Sequence, residues 1–459
     1  MGVTGKRLPP GPKGMPVVGV AFDLRRDPLA GLRRYARDYG DVARFCVMMQ
    51  ERILLSHPDF VNQVLVTQHS KFHKSELTRR ITGRMLGNGL LISEGDFWRR
   101  QRRLEQPAFH RSRIPEYAAT MVDLCRTHIS SWRDRDQRNM AQEMMALTLD
   151  IAVKTLFGTS LPGEAHQVGE AMIFLMRYSM RRQRLPLQIP QDWPTPRNRR
   201  ATRELEFIDS IIYRIIAERQ AEKNSHHHND LLALLMSAMD EDGTQMTAQQ
   251  LHDEAITLFV AGHETTAQML AWTWYALSNN PAAEEKLQEE LHKVLGGRDP
   301  QAADFGKLVY LQALMNEILR LYPPAYIMAR EVIEPVQIGG YEFTPGTTIV
   351  MSQWVSHRDP RFFDDPEAFR PERWLDGLAS RLPPGAYYPF GDGARRCIGQ
   401  GFALMEAAIV TGMLAQRFQF RLVPGQIVAT EPLVTLRPRH GIHMTLHEHA
   451  ASRVPATVS

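Results

Sequence analysis

Pro389-Phe-Gly-Asp-Gly-Ala-Arg-Arg-Cys-Ile-Gly-Gln-Gly401 packs four glycines around one cysteine and opens directly into an apolar-periodic helix, Gly399 to Gln416. Glycines at that density mark backbone that bends sharply. A cysteine so placed lies near a helix N-terminus, where unpaired N–H groups and the positive end of the dipole favour a thiolate; Arg395 and Arg396 add positive potential. The sulfur is therefore expected to be anionic, as a nucleophile, a redox thiol or an axial metal ligand, with a buried structural cysteine as the plain alternative. Only Cys46 and Cys125 accompany it and no CxxC pair occurs, so a disulfide framework and a zinc ribbon are excluded and a reducing compartment is expected. Both sit in apolar periodic segments and read as buried packing residues.

Upstream, Thr247-x-x-Gln250 forms a capping box ahead of an apolar pattern that continues to Ser278. About 30 residues at about 1.5 Å each make a helix of roughly 45 Å, long enough to cross the molecule. In its middle, Ala261-Gly-His-Glu-Thr-Thr266 sets a glycine, a carboxylate and two hydroxyls where an apolar face is expected. Glycine costs about 1 kcal/mol relative to alanine there, and threonine competes for the i−4 carbonyl, so a distorted turn is predicted. A kinked core helix would account for the same residues. His263-Glu264 has no second histidine four residues on, which excludes a zincin. Glu317 and Arg320 share a helix face at i, i+3, where a surface pair worth about 0–1 kcal/mol is the default. Trp98 and Arg102 stand at i, i+4 on a short basic helix.

The 459 residues are 43% hydrophobic and 23% charged, with 31 Gly and 29 Pro, proportions that exclude disorder and collagen. A net charge of +4 is too mild for a nucleic-acid binder. Arginines gather at Arg99, Arg100, Arg102, Arg103, Arg111 and Arg113, and again at Arg181, Arg182, Arg184, Arg197, Arg199 and Arg200. Solvated faces explain most such runs, and the first also suits an acidic partner protein. His226-His227-His228 reads as a solvated loop, because three adjacent residues do not converge on one ion. With no apolar run of about 18 residues and no signal-peptide layout, a cytoplasmic protein without a transmembrane segment is expected.

Helical spacing predicts helices over Pro28–Tyr39, Asp96–Leu104, Ile114–Trp132, Met140–Phe157, Gly163–Met180, Arg197–Lys223, Leu231–Met239, Thr247–Leu277, Ala282–Leu295, Leu308–Leu321 and Gly399–Gln416. Short β-like runs fall at Val42–Met48, Arg52–Ser56 and Tyr341–Met351, and alternation returns from Phe418 to Leu446. The pattern specifies a mainly α fold with a small β portion in a single large domain: a proline-rich lead-in over 1–27, the domain over 28–448 and a C-terminal tail over 449–459.

Phe390-x-x-Gly393-x-Arg395-x-Cys397-x-Gly399 resembles the haem-binding signature of the cytochromes P450, and that family's other motifs follow in order along the chain. The resemblance implies the P450 fold, haem b (iron protoporphyrin IX) as cofactor and Cys397 as the thiolate ligand of its iron, a ligation that pushes electron density toward O–O cleavage. It also implies that Phe390 packs beside the sulfur, that Gly393 and Gly399 let backbone approach it, and that Arg395 pairs with a haem propionate. Trp98 and Arg102 match the family's WxxxR pair, and Arg330 is a further propionate candidate. Ala261 to Thr266 resembles the oxygen-activation motif, which implies Glu264 as the acid relaying protons from solvent and Thr265 as the alcohol orienting dioxygen. Glu317, Arg320 and Arg373 resemble the family's structural triad.

The implied activity is insertion of one atom of O2 into a hydrophobic molecule, a fatty acid, terpene or steroid-like substrate, by hydroxylation or epoxidation. A haem-thiolate peroxygenase or isomerase and a non-enzymatic haem sensor are the alternatives, and both have less need of Glu264 and Thr265. No P-loop and no GxGxxG after a strand occurs, so electrons are expected from a separate ferredoxin or flavodoxin with its reductase, reaching a monomer. By family position Leu90, Leu91, Ala261, Tyr326, Ile327, Met328 and Leu433 surround the substrate in an apolar lining.

Overall fold

The helix announced by Thr247 is the axis of the fold. Its capping box forms: the Thr247 hydroxyl accepts the Gln250 N–H at 3.2 Å, and the Thr247 N–H donates to Gln250 Oε1 at 2.9 Å. From there one α-helix runs Ala248–Asn279 and is buried round most of its girth from Leu251 to Leu277, as befits a helix at the centre of a large core. Helices Met140–Phe157, Pro196–Ala221, Val309–Leu321 and Gln400–Arg417 pack against it. This computed structural model describes residues 8–110, 112–161, 163–183, 190–221, 230–239, 243 and 245–449; Arg111, Arg184, His226-His227-His228 and the tail beyond residue 449 lie outside them.

The predicted distortion at Ala261 to Thr266 does not occur, and the helix is unbroken there. The Thr265 and Thr266 hydroxyls donate to the carbonyls of Ala261 (3.0 Å) and Gly262 (3.4 Å), bonds that add to the helical ladder instead of displacing it. Packing does not demand glycine at 262: a Cβ there would lie at ordinary contact distance, 3.4 Å from Leu156 Cδ1 and 3.7 Å from Ala152 Cβ, on the neighbouring helix.

The β portion is a five-stranded sheet in the order Val42–Val47, Gln50–Leu55, Thr348–Met351, Met328–Val332, Phe72–His73. The second and third strands are parallel and the other pairs antiparallel. Its first hairpin turns through Met48 and Met49, both at positive φ (51° and 60°), the geometry whose twist suits a two-residue turn. The run expected over Tyr341–Met351 is two strands, because Gly346 at φ 89° turns the chain between Tyr341–Phe343 and Thr348–Met351. Likewise the alternation after Phe418 divides into Phe418–Leu422, Thr430–Pro432, Leu436–Pro438 and His443–Glu448. Helices Ala21–Arg26, Pro58–Asn62 and Glu76–Leu86 were not predicted. Cys125 is buried as expected, whereas Cys46 is only half-buried on its edge strand.

One contact fastens the central helix to Pro196–Ala221. His252 lies 3.2 Å from Asp209 Oδ1 and 3.3 Å from Asp253 Oδ1, with its ring stacked on Tyr213 at 4.5 Å. Burial alone would lower its pKa, but the two carboxylates overcome that and raise it to about 9. An imidazole raised above its unfolded value of about 6.5 stabilises the fold fully below that pH, and the contribution disappears as pH climbs through about 9. Melting temperature should therefore fall between pH 7 and 10 more steeply in the wild type than in His252→Gln; parallel profiles would refute the assignment.

Candidate active site

The cysteine loop is shaped by two glycines in the left-handed region, one of which has no room for a side chain. Gly391 and Gly393 take φ values of 69° and 63°, and a Cβ on Gly393 would come within 2.0 Å of the Leu65 carbonyl oxygen. Asp392 caps the short turn Gly393–Arg395 by accepting the Gly393 N–H at 2.8 Å, and the Cys397 N–H donates to the Phe390 carbonyl at 2.9 Å. Helix Gln400–Arg417 begins just beyond, with Gly399 at its N-cap. Cys397 is exposed as a residue, while protein surrounds its sulfur. That enclosure raises its pKa; the Gly399 N–H and the charges of Arg102 and Arg396 work the other way without prevailing. The expected thiolate is thus not made by the loop alone, and a cation on the sulfur is what would complete it.

Above the loop several cations converge. Arg395 lies 3.8 Å over the Trp98 ring, donates to the Ser93 carbonyl at 2.8 Å and pairs with Glu94. Arg102 Nη1 reaches back to the Arg396 carbonyl at 2.9 Å, tying helix Gly95–Glu105 to the loop. Arg330 donates to the Ala329 carbonyl at 2.9 Å and is desolvated enough to lower its pKa. Lys74, which the sequence reading missed, donates its ammonium to the Leu91 carbonyl and its backbone N–H to Glu94 Oε1 at 2.8 Å. Burial, with Arg330 and Arg395 alongside, holds that ammonium well below the usual lysine range. Lys74, Arg330 and Arg395 therefore gather around Glu94, while Arg102 lies beside Cys397. Such a donor set suits a planar iron macrocycle carrying carboxylates.

Glu264 and Thr265 occupy the middle of the central helix. The Glu264 carboxyl is buried; its Oε1 accepts from the Thr435 hydroxyl at 2.7 Å and Gln268 Nε2 at 3.2 Å, with Arg437 at 3.9 Å. Its Oε2 is buried with no hydrogen-bond partner. The acid expected to relay protons from solvent is turned onto the hairpin of Thr430–Pro432 and Leu436–Pro438. His263 packs away, its ring 2.5 Å from the Phe259 carbonyl and its own carbonyl accepting from Thr148.

Glu317 and Arg320 are fully buried, not the surface pair that spacing alone suggests. Arg320 grips both carboxylate oxygens at 2.8 Å, Arg373 Nε reaches Oε1 at 3.0 Å, Trp374 Nε1 reaches Oε2 at 2.9 Å, and the Arg370 N–H donates to Oε1 at 2.9 Å. Arg320 and Arg373 spend their remaining N–H groups on the carbonyls of His357, Asp364, Pro366 and Ala368, which fixes the irregular segment upstream of the cysteine loop.

The expected substrate lining divides. Leu91 and Ile327 are exposed and Ala261 and Met328 half-buried, so these four have surface to offer. Tyr326 does not: its ring is buried beside Leu29, Leu436 and Trp354, and its hydroxyl donates to the Leu433 carbonyl at 2.8 Å. Leu433 is buried in the main core, and buried Leu90 donates its N–H to Glu254 Oε2 at 2.7 Å.

The family profile of Cytochrome P450 matches residues 9–444. Among curated proteins, cyclooctatin synthase of Streptomyces melanosporofaciens is 35% identical over 426 residues, covering 93% of this chain and 92% of that protein. Cyclooctat-9-en-7-ol 5-monooxygenase of the same organism is 35% identical over 90% of both chains. Pentalenene oxygenase of Streptomyces avermitilis is 31% identical over 93% of this chain and 94% of its own. No helix among the described residues is long and apolar enough to cross a membrane. With these likenesses running nearly end to end, the chain belongs to the cytochrome P450 family and is an oxidoreductase, a haem-dependent monooxygenase.

Proposed function

We propose that this enzyme oxidises a cyclic terpene, placing one atom of O2 on a carbon by hydroxylation or epoxidation, with haem b as cofactor. The observation that carries the reading is Cys397 in its glycine-bent loop with Arg102 beside it and Lys74, Arg330 and Arg395 gathered around Glu94, in a chain whose central helix bears Glu264 and Thr265. The terpene class is supported by the names of three relatives, each matched over at least 90% of this chain. Cys397 would ligate the iron, and the four cations would hold the carboxylates, with Trp98 backing Arg395. When bound, haem supplies the redox chemistry on O2. Glu264 would relay protons and Thr265 would orient O2, and the apolar faces of Ala261, Leu91, Ile327 and Met328 orient a hydrocarbon by shape. Titrating purified holoprotein with cyclic diterpenes, sesquiterpenes, fatty acids and steroids should give a Soret shift that saturates with terpenes; response to fatty acids or steroids alone would overturn the terpene reading.

Electrons reach this site, in the same reading, from a separate acidic ferredoxin or a flavodoxin. Arg99, Arg103 and Arg396 are exposed on the Cys397 side, although Arg99 also pairs with Asp96 and Arg113 lies 4.0 Å from Glu116. Exposed charges are screened within about 10 Å at 0.1 M salt. Turnover with an acidic ferredoxin should drop about tenfold between about 0.05 and 0.5 M salt. A flat response would count against docking by charge.

A further inference from the structure

The hairpin that receives Glu264 is fastened to four other parts of the molecule. Trp272 Nε1 donates to the Leu436 carbonyl at 3.1 Å, the Leu436 N–H donates to the Pro324 carbonyl at 2.9 Å, and the Tyr326 hydroxyl reaches the Leu433 carbonyl at 2.8 Å. At its outer end Glu431 takes a two-bond grip from Arg177 of helix Ala165–Gln183, Nε at 3.2 Å and Nη2 at 2.9 Å. Between these anchors the backbone turns tightly, the Leu433 N–H donating to the Thr435 carbonyl at 3.1 Å. Thr435 therefore has little freedom, and its hydroxyl is delivered to Glu264 by the whole hairpin.

We propose that Thr435 is a positioning residue for Glu264, one that fixes which carboxyl oxygen gives up the proton. The inference rests on the reading of Glu264 as the acid. Oε1 is committed as an acceptor to Thr435 and Gln268, so it is not the oxygen that carries the proton; Oε2, buried and unengaged, is. When the Oε2–H bond breaks, the proton passes toward the Thr265 hydroxyl and the negative charge stays on the carboxylate. The Thr435 O–H, the Gln268 N–H and the Arg437 guanidinium then stabilise that charge. Arg437 is buried and its Nη1, 3.9 Å from Oε1, has no hydrogen-bond partner, so it can close on the carboxylate as the proton leaves. Arg437 from the hairpin and His263 from the same helix both act on Glu264. Through Arg177 and Glu431, the helix Ala165–Gln183 is linked to the acid by the same hairpin.

Infrared spectroscopy of the ferric holoprotein tests this. The Glu264 carboxyl band is identified by its loss in Glu264→Gln. In Thr435→Val its stretching frequency should shift, because a hydrogen-bond donor to Oε1 has gone, and Thr435→Ser should restore it. With the tightest terpene from the Soret titration, Thr435→Val should release about tenfold more peroxide per NADPH at an unchanged carbon monoxide spectrum. An unmoved carboxyl frequency in both Thr435→Val and Thr435→Ala overturns the positioning role. Wild-type turnover in Glu264→Gln would instead sink the acid reading beneath it, so the two failures are distinguishable.

Discussion

Cys397→Ser holoprotein is expected to lose the carbon monoxide difference band of thiolate-ligated haem and, with it, oxygenation of any ligand, by at least about a thousandfold. The substitution isolates the sulfur. What holds the loop in shape is backbone: the Cys397 N–H to the Phe390 carbonyl, the Asp392 cap and the left-handed Gly391 and Gly393. Serine keeps all of these and is close in size, so circular dichroism and melting temperature should be unchanged. A serine hydroxyl ionises far less readily than a thiol, and the enclosure that already raises the cysteine pKa would penalise an alkoxide more. A variant retaining the thiolate band and turnover would mean that another residue ligates the iron.

Glu317→Ala should be the most damaging change outside the loop, at about 3–5 kcal/mol. It leaves the guanidiniums of Arg320 and Arg373 facing each other, both buried, without their carboxylate, and strands the Trp374 N–H as well. Set against a total stability of about 5–15 kcal/mol, that loss should show as a much lower urea midpoint and a small haem-loaded fraction on purification. Glu317→Gln retains one carbonyl oxygen as acceptor and should fall between the two. An alanine variant with a wild-type midpoint would mean that water reaches the two arginines.

Legibility in the sequence followed the range of the interactions involved. The central helix was readable because a capping box and an apolar period are local, and the cysteine loop because glycine density and the adjoining helix are local too. The kink predicted at Ala261 to Thr266 failed because local bonds from Thr265 and Thr266 proved compatible with the ladder. The burial of Glu317 could not be read from i, i+3 spacing, since it depends on Arg373 and Trp374 more than fifty residues downstream. Lys74, Glu94 and Thr435 carry no local signal. Each is singled out only by what the fold brings beside it, as is the removal of Tyr326 from the substrate lining.

The cysteine loop owes its form to residues from the far end of the chain: Leu65 beneath Gly393, Ser93 and Glu94 on Arg395, and Arg102 on Arg396, at sequence separations near 300. Closing contacts of that span is slow, because chain entropy must be surrendered before they form. Maturation consequently has a fixed order. Residues 65–102 must wait for the cysteine loop, some 300 residues on, before a cradle for iron exists, so cofactor capture follows the meeting of these two stretches rather than nucleating the collapse of the polypeptide.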